Sequence, residues 1–215
     1  PTPLHSSAAS DVYKRQTLVG CRIPGNKLAK KLITLFDLPI AAPSANLSER
    51  TSVTNIMDID PILVKKIFVL KDKQSSHGLE STVVRIDTNN EIEVLRYGSI
   101  TVEELNKYAK VKIKKKSSIS PGNLKKHYST LKPIRMNAKR ILKNEGLLNF
   151  GNNKLKSKII NLNLSNKKNL NEAAKNFYHY LHKLDQSRCK KIAVVEIPDK
   201  GLGKTINDRL RRAIK

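Results

Sequence analysis

Ser44, Asn46 and Ser48 occupy alternate positions in the run Pro39-Ile40-Ala41-Ala42-Pro43-Ser44-Ala45-Asn46-Leu47-Ser48. In an extended chain alternate side chains point to one side, so a hydroxyl, an amide and a second hydroxyl share a face. Small neighbours, Ala42 and Ala45, let a ligand come close to the backbone. Hydroxyl, amide and peptide N–H groups gathered on one face suit recognition of a phosphate or a carboxylate. A polar turn after a buried strand has the same composition, and the loop alone does not separate the two readings.

Two further segments add to the chemistry. Gly78-Leu79-Glu80-Ser81-Thr82-Val83-Val84 leads into a strand and on to Leu95-Arg96-Tyr97-Gly98-Ser99-Ile100. Later comes Ser120-Pro121-Gly122-Asn123-Leu124-Lys125-Lys126-His127-Tyr128. In that order and spacing the three segments resemble the threonylcarbamoyl-AMP synthase family, in its two-domain form. That form joins a YrdC-like catalytic domain by a linker to a smaller Rossmann-like domain. The resemblance covers residues 17–215.

The resemblance implies that L-threonine, bicarbonate and ATP, with Mg²⁺ as counter-ion, give threonylcarbamoyl-adenylate and pyrophosphate. The product feeds the threonylcarbamoyl modification of adenosine in tRNA. Positioning, and cations and N–H donors facing the phosphates, carry most of such a step. The resemblance places Ser44 and Asn46 on the ATP phosphates as the catalytic pair. It places Ser52, Arg96 and His127 at the nucleotide, with His127 in a linker motif that folds over the site. Arg22, the backbone at Ala42, and Ser81 match the threonine-binding positions, and no residue is assigned as a metal ligand.

Each residue also has a structural reading. Arg22 and Arg96 could form surface ion pairs, although a substrate carboxylate suits the planar fork of arginine. Ser81 is an ordinary strand residue and His127 a solvated linker histidine. Glu80 reads as a structural hydrogen-bond acceptor rather than a general base. The chain departs from the family pattern at Glu49, a negative charge near the phosphate loop, at Val53, and at Ser129-Thr130 after the His127-Tyr128 pair. The expected Lys/Arg pair has no counterpart before Thr17. The run Gly201-Leu202-Gly203-Lys204-Thr205 imitates a P-loop, but the spacing requires glycine where Pro198 stands.

These residues need elements to hold them. Apolar patterning predicts strands at 18–23, 40–42, 67–70, 81–87 and 92–96. Asn26 can cap a helix whose stripe is Leu28, Leu32, Ile33, Leu35 and Phe36. A weaker helix over 54–66 is interrupted by Pro61. Thr101-Val102-Glu103-Glu104 is a capping box that starts a helix over 102–109. Further strands are predicted at 134–136, 146–150, 158–164 and 192–197. A helix over 170–184 carries Ala173, Ala174, Phe177, Tyr178, Leu181 and Leu184 on one face, and a basic helix covers 206–214.

The expected fold class is α/β: a partial YrdC-like twisted α/β domain, a basic linker and a small Rossmann-like parallel-sheet domain, the last argued from its alternating strands and helices. Residues 1–16 show no periodicity and resemble translated sequencing-adaptor read-through. Residues 17–110 read as the carboxy-terminal part of the catalytic domain, 111–133 as linker and lid, and 134–215 as the second domain. With its upstream strands missing, such a sheet keeps an open edge, so the chain as given is expected to be catalytically inactive.

Composition narrows the partners. The 215 residues carry a formal charge of +24 and 39% apolar residues, with no tryptophan. No apolar run is long enough to span a bilayer. The isolated Cys21 and Cys189 fit a reducing cytoplasm better than a disulfide framework. The positive charge admits a different reading, a basic RNA-binding module without catalysis that takes double-stranded RNA or tRNA. It equally fits a lysine-rich surface spread over every segment. A third reading is an interaction fragment built around residues 134–215.

Overall fold

The computed structural model describes residues 20–42, 45–46, 50–70, 75, 77–113 and 129–214. Its amino-terminal part begins with helix α1 (Lys27–Phe36). The Asn26 side chain accepts a hydrogen bond from the Ala29 N–H at 2.8 Å, which satisfies one of the helix's open donors. Asp37 ends it in the left-handed region at φ 49°, its N–H bonded to the Ile33 carbonyl. The predicted apolar stripe is present, yet no residue of α1 is buried; Leu35 is 75% exposed.

The segments 20–23, 40–42 and 67–70 are not strands. Apolar and β-branched residues favour a strand only where a neighbouring chain supplies the ladder. Ile23 and Phe68 are each 90% exposed, so none forms there among the described residues. The helix expected over 54–66 is two short turns instead. Asn55 caps a 3₁₀ turn (Ile56–Asp58), and Asp60 caps α2 (Pro61–Val64). Pro61 therefore opens a helix, where its missing N–H costs nothing, rather than interrupting one.

Three strands follow, in the order β1 (Val83–Ile86), β2 (Ile92–Arg96), β3 (Val111–Ile113). The first pair is antiparallel and the second parallel. The β1–β2 turn is set by the Asp87 carboxylate, which accepts the Asn89 and Glu91 N–H groups, and by Asn90 at φ 55°. Across the pair Arg85 bonds Glu93. Between β2 and β3 lies α3 (Val102–Leu105), opened by the expected capping box with both reciprocal bonds formed. Strand β3 takes the first residues of the lysine-rich stretch that reads as linker.

Residues 134–214 build a second layer. Strands β4 (Ile134–Arg135), β5 (Glu145–Asn149), β6 (Asn161–Asn163) and β7 (Lys191–Val194) form a wholly parallel sheet in the order β4-β7-β5-β6. Parallel neighbours need long crossovers; helix α4 (Leu170–Gln186) supplies the one from β6 to β7, and α5 (Leu202–Ala213) follows β7. Leu147, Leu148, Phe177, Leu181, Ile192, Val194, Ile206 and Leu210 are at most 1% exposed and form the main core. The sequence-predicted face of α4 is buried at all six positions. Helix α5 starts earlier than its apolar residues indicate, at Leu202 directly after Gly201 (φ 49°).

The chain enters this layer through a latch. Lys132 donates its Nζ to the Leu184, Asp185 and Ser187 carbonyls at the end of α4. Asp185 in turn accepts the Leu131 and Lys132 N–H groups at 2.9 and 3.1 Å.

Candidate functional site

Ser81 is where three of the sequence-predicted residues meet. Arg22 Nη1 donates to the Ser81 hydroxyl at 3.2 Å, and Arg96 Nη2 donates to the Ser81 carbonyl at 2.9 Å. Arg22 itself is exposed, so most of its planar fork remains open to a carboxylate. Two cationic groups thus flank one serine just before β1, with one of them at the end of β2.

The serine is held by its neighbours. The Thr82 hydroxyl donates to the Ile100 carbonyl at 2.6 Å and accepts the Ile100 N–H at 3.0 Å. The Ser99 N–H bonds the Glu80 carbonyl at 2.8 Å. Between them Gly98 lies so close that a Cβ there would stand 2.2 Å from the Thr82 nitrogen. Glycine is required at this position by that backbone approach, and the two segments are stitched together side by side.

Glu80 sits behind Ser81 and accepts from both halves of the chain. Ser52 donates to Oε1, the Tyr178 hydroxyl donates to Oε1 at 2.6 Å, and Arg209 Nε donates to Oε2 at 3.0 Å. Burial works against its charge, but the Arg209 guanidinium and the bonds from Ser52 and Tyr178 outweigh it. They hold the carboxyl below the ordinary glutamate value. A carboxylate so occupied is an anchor and not a base, as its sequence position predicts.

The other predicted residues are less gathered. Ser52 faces Glu80 rather than an open surface. The Asn46 amide donates to the Arg50 carbonyl at 3.1 Å, closing its own loop. Ala42 is exposed. Ser44 and His127 lie outside the described residues. Beside Asn46 a cleft of about 280 Å³ opens between residues 50–61 and α4, lined among others by Arg50, Asp58, Asp60, His182 and Asp185. Its α4 wall is bonded across the cleft: His179 Nδ1 lies 3.0 Å from the Asp58 carboxylate, and His182 Nε2 lies 3.2 Å from the Thr51 hydroxyl.

Sequence reasoning missed the carboxy-terminal partners of the site, Tyr178, Thr205 and Arg209. The available signal was Arg209 itself, a charged residue between the apolar Ile206 and Leu210 on the face of α5 that is buried. The P-loop imitation fails at its ends: Pro198 replaces the first glycine, and the hydroxyl that would face a phosphate-bound cation is already committed. Gly203, Lys204 and Thr205 lie inside α5, and the Thr205 hydroxyl is bonded to the Gly98 carbonyl at 3.0 Å.

Residues 100–214 match the family model described as "Threonylcarbamoyl-AMP synthase, C-terminal domain", and residues 2–98 match the one described as "Telomere recombination". The chain belongs to the threonylcarbamoyl-AMP synthase family. It is similar to the threonylcarbamoyl-AMP synthases of Pyrococcus abyssi (26% identical, over 91% of this chain and 63% of that protein) and Bacillus subtilis (28%, over 91% and 62%). The enzyme of Schizosaccharomyces pombe is 34% identical over 53% of this chain and 31% of its own. The chain therefore spans less than two-thirds of the length of the curated relatives it matches.

Solved structures agree on the fold. A crystal structure of P. abyssi Sua5 complexed with L-threonine matches at a TM-score of 0.76 and 25% identity, over 89% of this chain and 62% of that one. A second P. abyssi Sua5 structure, with a neighbouring histidine and tyrosine both replaced by alanine, matches at 0.69. The mixed α/β architecture with a parallel sheet is the one expected from the sequence. Among the described residues no helix is long and apolar enough to cross a membrane.

Proposed function

We propose that this protein acts in the synthesis of L-threonylcarbamoyladenylate. The threonine amine combines with bicarbonate, losing water, to give a carbamate. A carbamate oxygen then attacks the α-phosphorus of ATP, and pyrophosphate leaves. The observation that carries this reading is the contact between Arg22 and Ser81, residues 59 positions apart in sequence. Both match the family's threonine positions, and a relative of the same fold has been crystallised with L-threonine.

In this reading Arg22 and the Ser81 hydroxyl take the threonine carboxylate and side chain. Arg96, on the other side of Ser81, faces the nucleotide. Ser44 and Asn46 work on the phosphates as the catalytic pair, with Ser52 and His127 at the nucleotide and the Ala42 backbone beside threonine. Among the described residues no group of three or more His, Cys, Asp or Glu side chains is placed to hold a metal ion. Mg²⁺ enters as the counter-ion of the triphosphate, bound chiefly by substrate oxygens. The reading places this step in the cytoplasm, where ATP and tRNA, the eventual acceptor, are available.

The named relatives are enzymes, which favours synthesis over a non-catalytic RNA-binding module. The charge of +24 fits a role near tRNA but does not require one. The test is pyrophosphate release from ATP that depends on both threonine and bicarbonate. It is run on this chain and on a form extended to the relatives' full length. Turnover in either form that needs both substrates and falls at least about a hundredfold in Arg96→Ala supports the reading; no turnover in both overturns it.

A further inference from the structure

The two segments that carry Ser81 and Arg96 are bound from below by the carboxy-terminal layer. Leu79 is part of that layer's apolar core. The Gly78 backbone lies against α4, where a Cβ would stand 2.2 Å from the Ala174 carbonyl oxygen. The Glu80 carboxylate takes the Tyr178 hydroxyl from α4 and the Arg209 guanidinium from α5. The far end of the same guanidinium donates to the Tyr97 carbonyl at 2.5 Å. One turn earlier Thr205 donates to the Gly98 carbonyl, and the Lys204 ammonium stands 5.0 Å from the centre of the Tyr97 ring.

Arg209 is wholly buried, and the Glu80 side chain is 15% exposed. Burying an ion pair is a costly way to make two units adhere, since packed apolar residues do as well or better. What the pair adds is direction. A rigid fork that reads a carboxylate on one segment and a carbonyl on another fixes their relative register. That register is the one in which Ser81 receives Arg96 on its carbonyl and Arg22 on its hydroxyl.

We infer that Arg209 and Tyr178 are positioning residues for the amino-acid site, acting through Glu80 and the Tyr97 carbonyl to hold Ser81 and Arg96 in place. The carboxy-terminal layer is then part of the substrate-binding apparatus, acting through Glu80 and the Tyr97 carbonyl. The inference rests on the threonine reading given above.

The experiment is calorimetric titration of L-threonine into the full chain, with melting temperature measured in parallel. Tyr178→Phe removes one hydroxyl from a position that stays filled, and Arg209→Lys keeps the charge but cannot span both partners. Each is expected to weaken threonine binding by about tenfold. Ile192→Val, on β7 of the same core and not a bonding partner of Glu80, is the control: it lowers the melting temperature and leaves the affinity unchanged. Wild-type affinity in Tyr178→Phe overturns the inference, whether or not Arg209→Lys folds. Absence of threonine binding by the unsubstituted chain instead removes the assignment of threonine to Arg22 and Ser81, and the inference falls with it.

Discussion

Glu80 shows how one residue can be legible in kind and illegible in context. Its place beside Ser81 marks it as an acceptor, but two of its donors come from 98 and 129 positions away, on helices whose packing no local pattern reveals. Its environment has a consequence for stability. Because its folded pKa lies below the unfolded value, its contribution is fully present above the ordinary glutamate range. It is lost as pH falls through the lower folded value. Glu145, held down by its bonds from Arg135 and the Leu142 N–H, behaves alike. Melting temperature should hold from neutrality to about pH 5 and fall below it. Glu80→Gln, less stable at neutral pH, should lose less on acidification. An acid slope identical to that of the unsubstituted protein would show that Glu80 is not ionised where the structure has it.

At the scale of elements, the readable features are those decided within one turn of chain. Asn26 and Thr101 cap helices because their side chains reach N–H groups three residues on. The apolar face of α4 is legible because one helix presents it. Apolar patterning predicts strands at 18–23, 40–42 and 67–70, and pairing, which the pattern does not contain, decides otherwise where those residues are described. Pro61 and Gly201 mark helix starts that apolar periodicity misplaces. Gly78 belongs to this scale as well, since its backbone lies directly against α4 at Ala174 and Lys175. At φ 67°, with backbone atoms in the way of any Cβ, it tolerates no side chain. Gly78→Ala should lower stability by about 2 kcal/mol or more, read from the denaturant midpoint; an unchanged midpoint would mean the two parts are not docked this way.

For the molecule as a whole, alternating strands and helices in residues 134–214 announce a parallel sheet, but not the strand order β4-β7-β5-β6. The core lies mostly in this layer, and the segments around Ser81 lean on it. The candidate site was partly legible: Arg22, Ser81 and Arg96 converge, while the layer that holds them in register was not foreseen. The central claim is that this convergence is an amino-acid site. The direct measurement is a calorimetric titration of L-threonine into the chain and into its Arg22→Met and Ser81→Ala variants. The account predicts saturable binding, weakened at least about tenfold in each variant. Binding that neither substitution changes would contradict it.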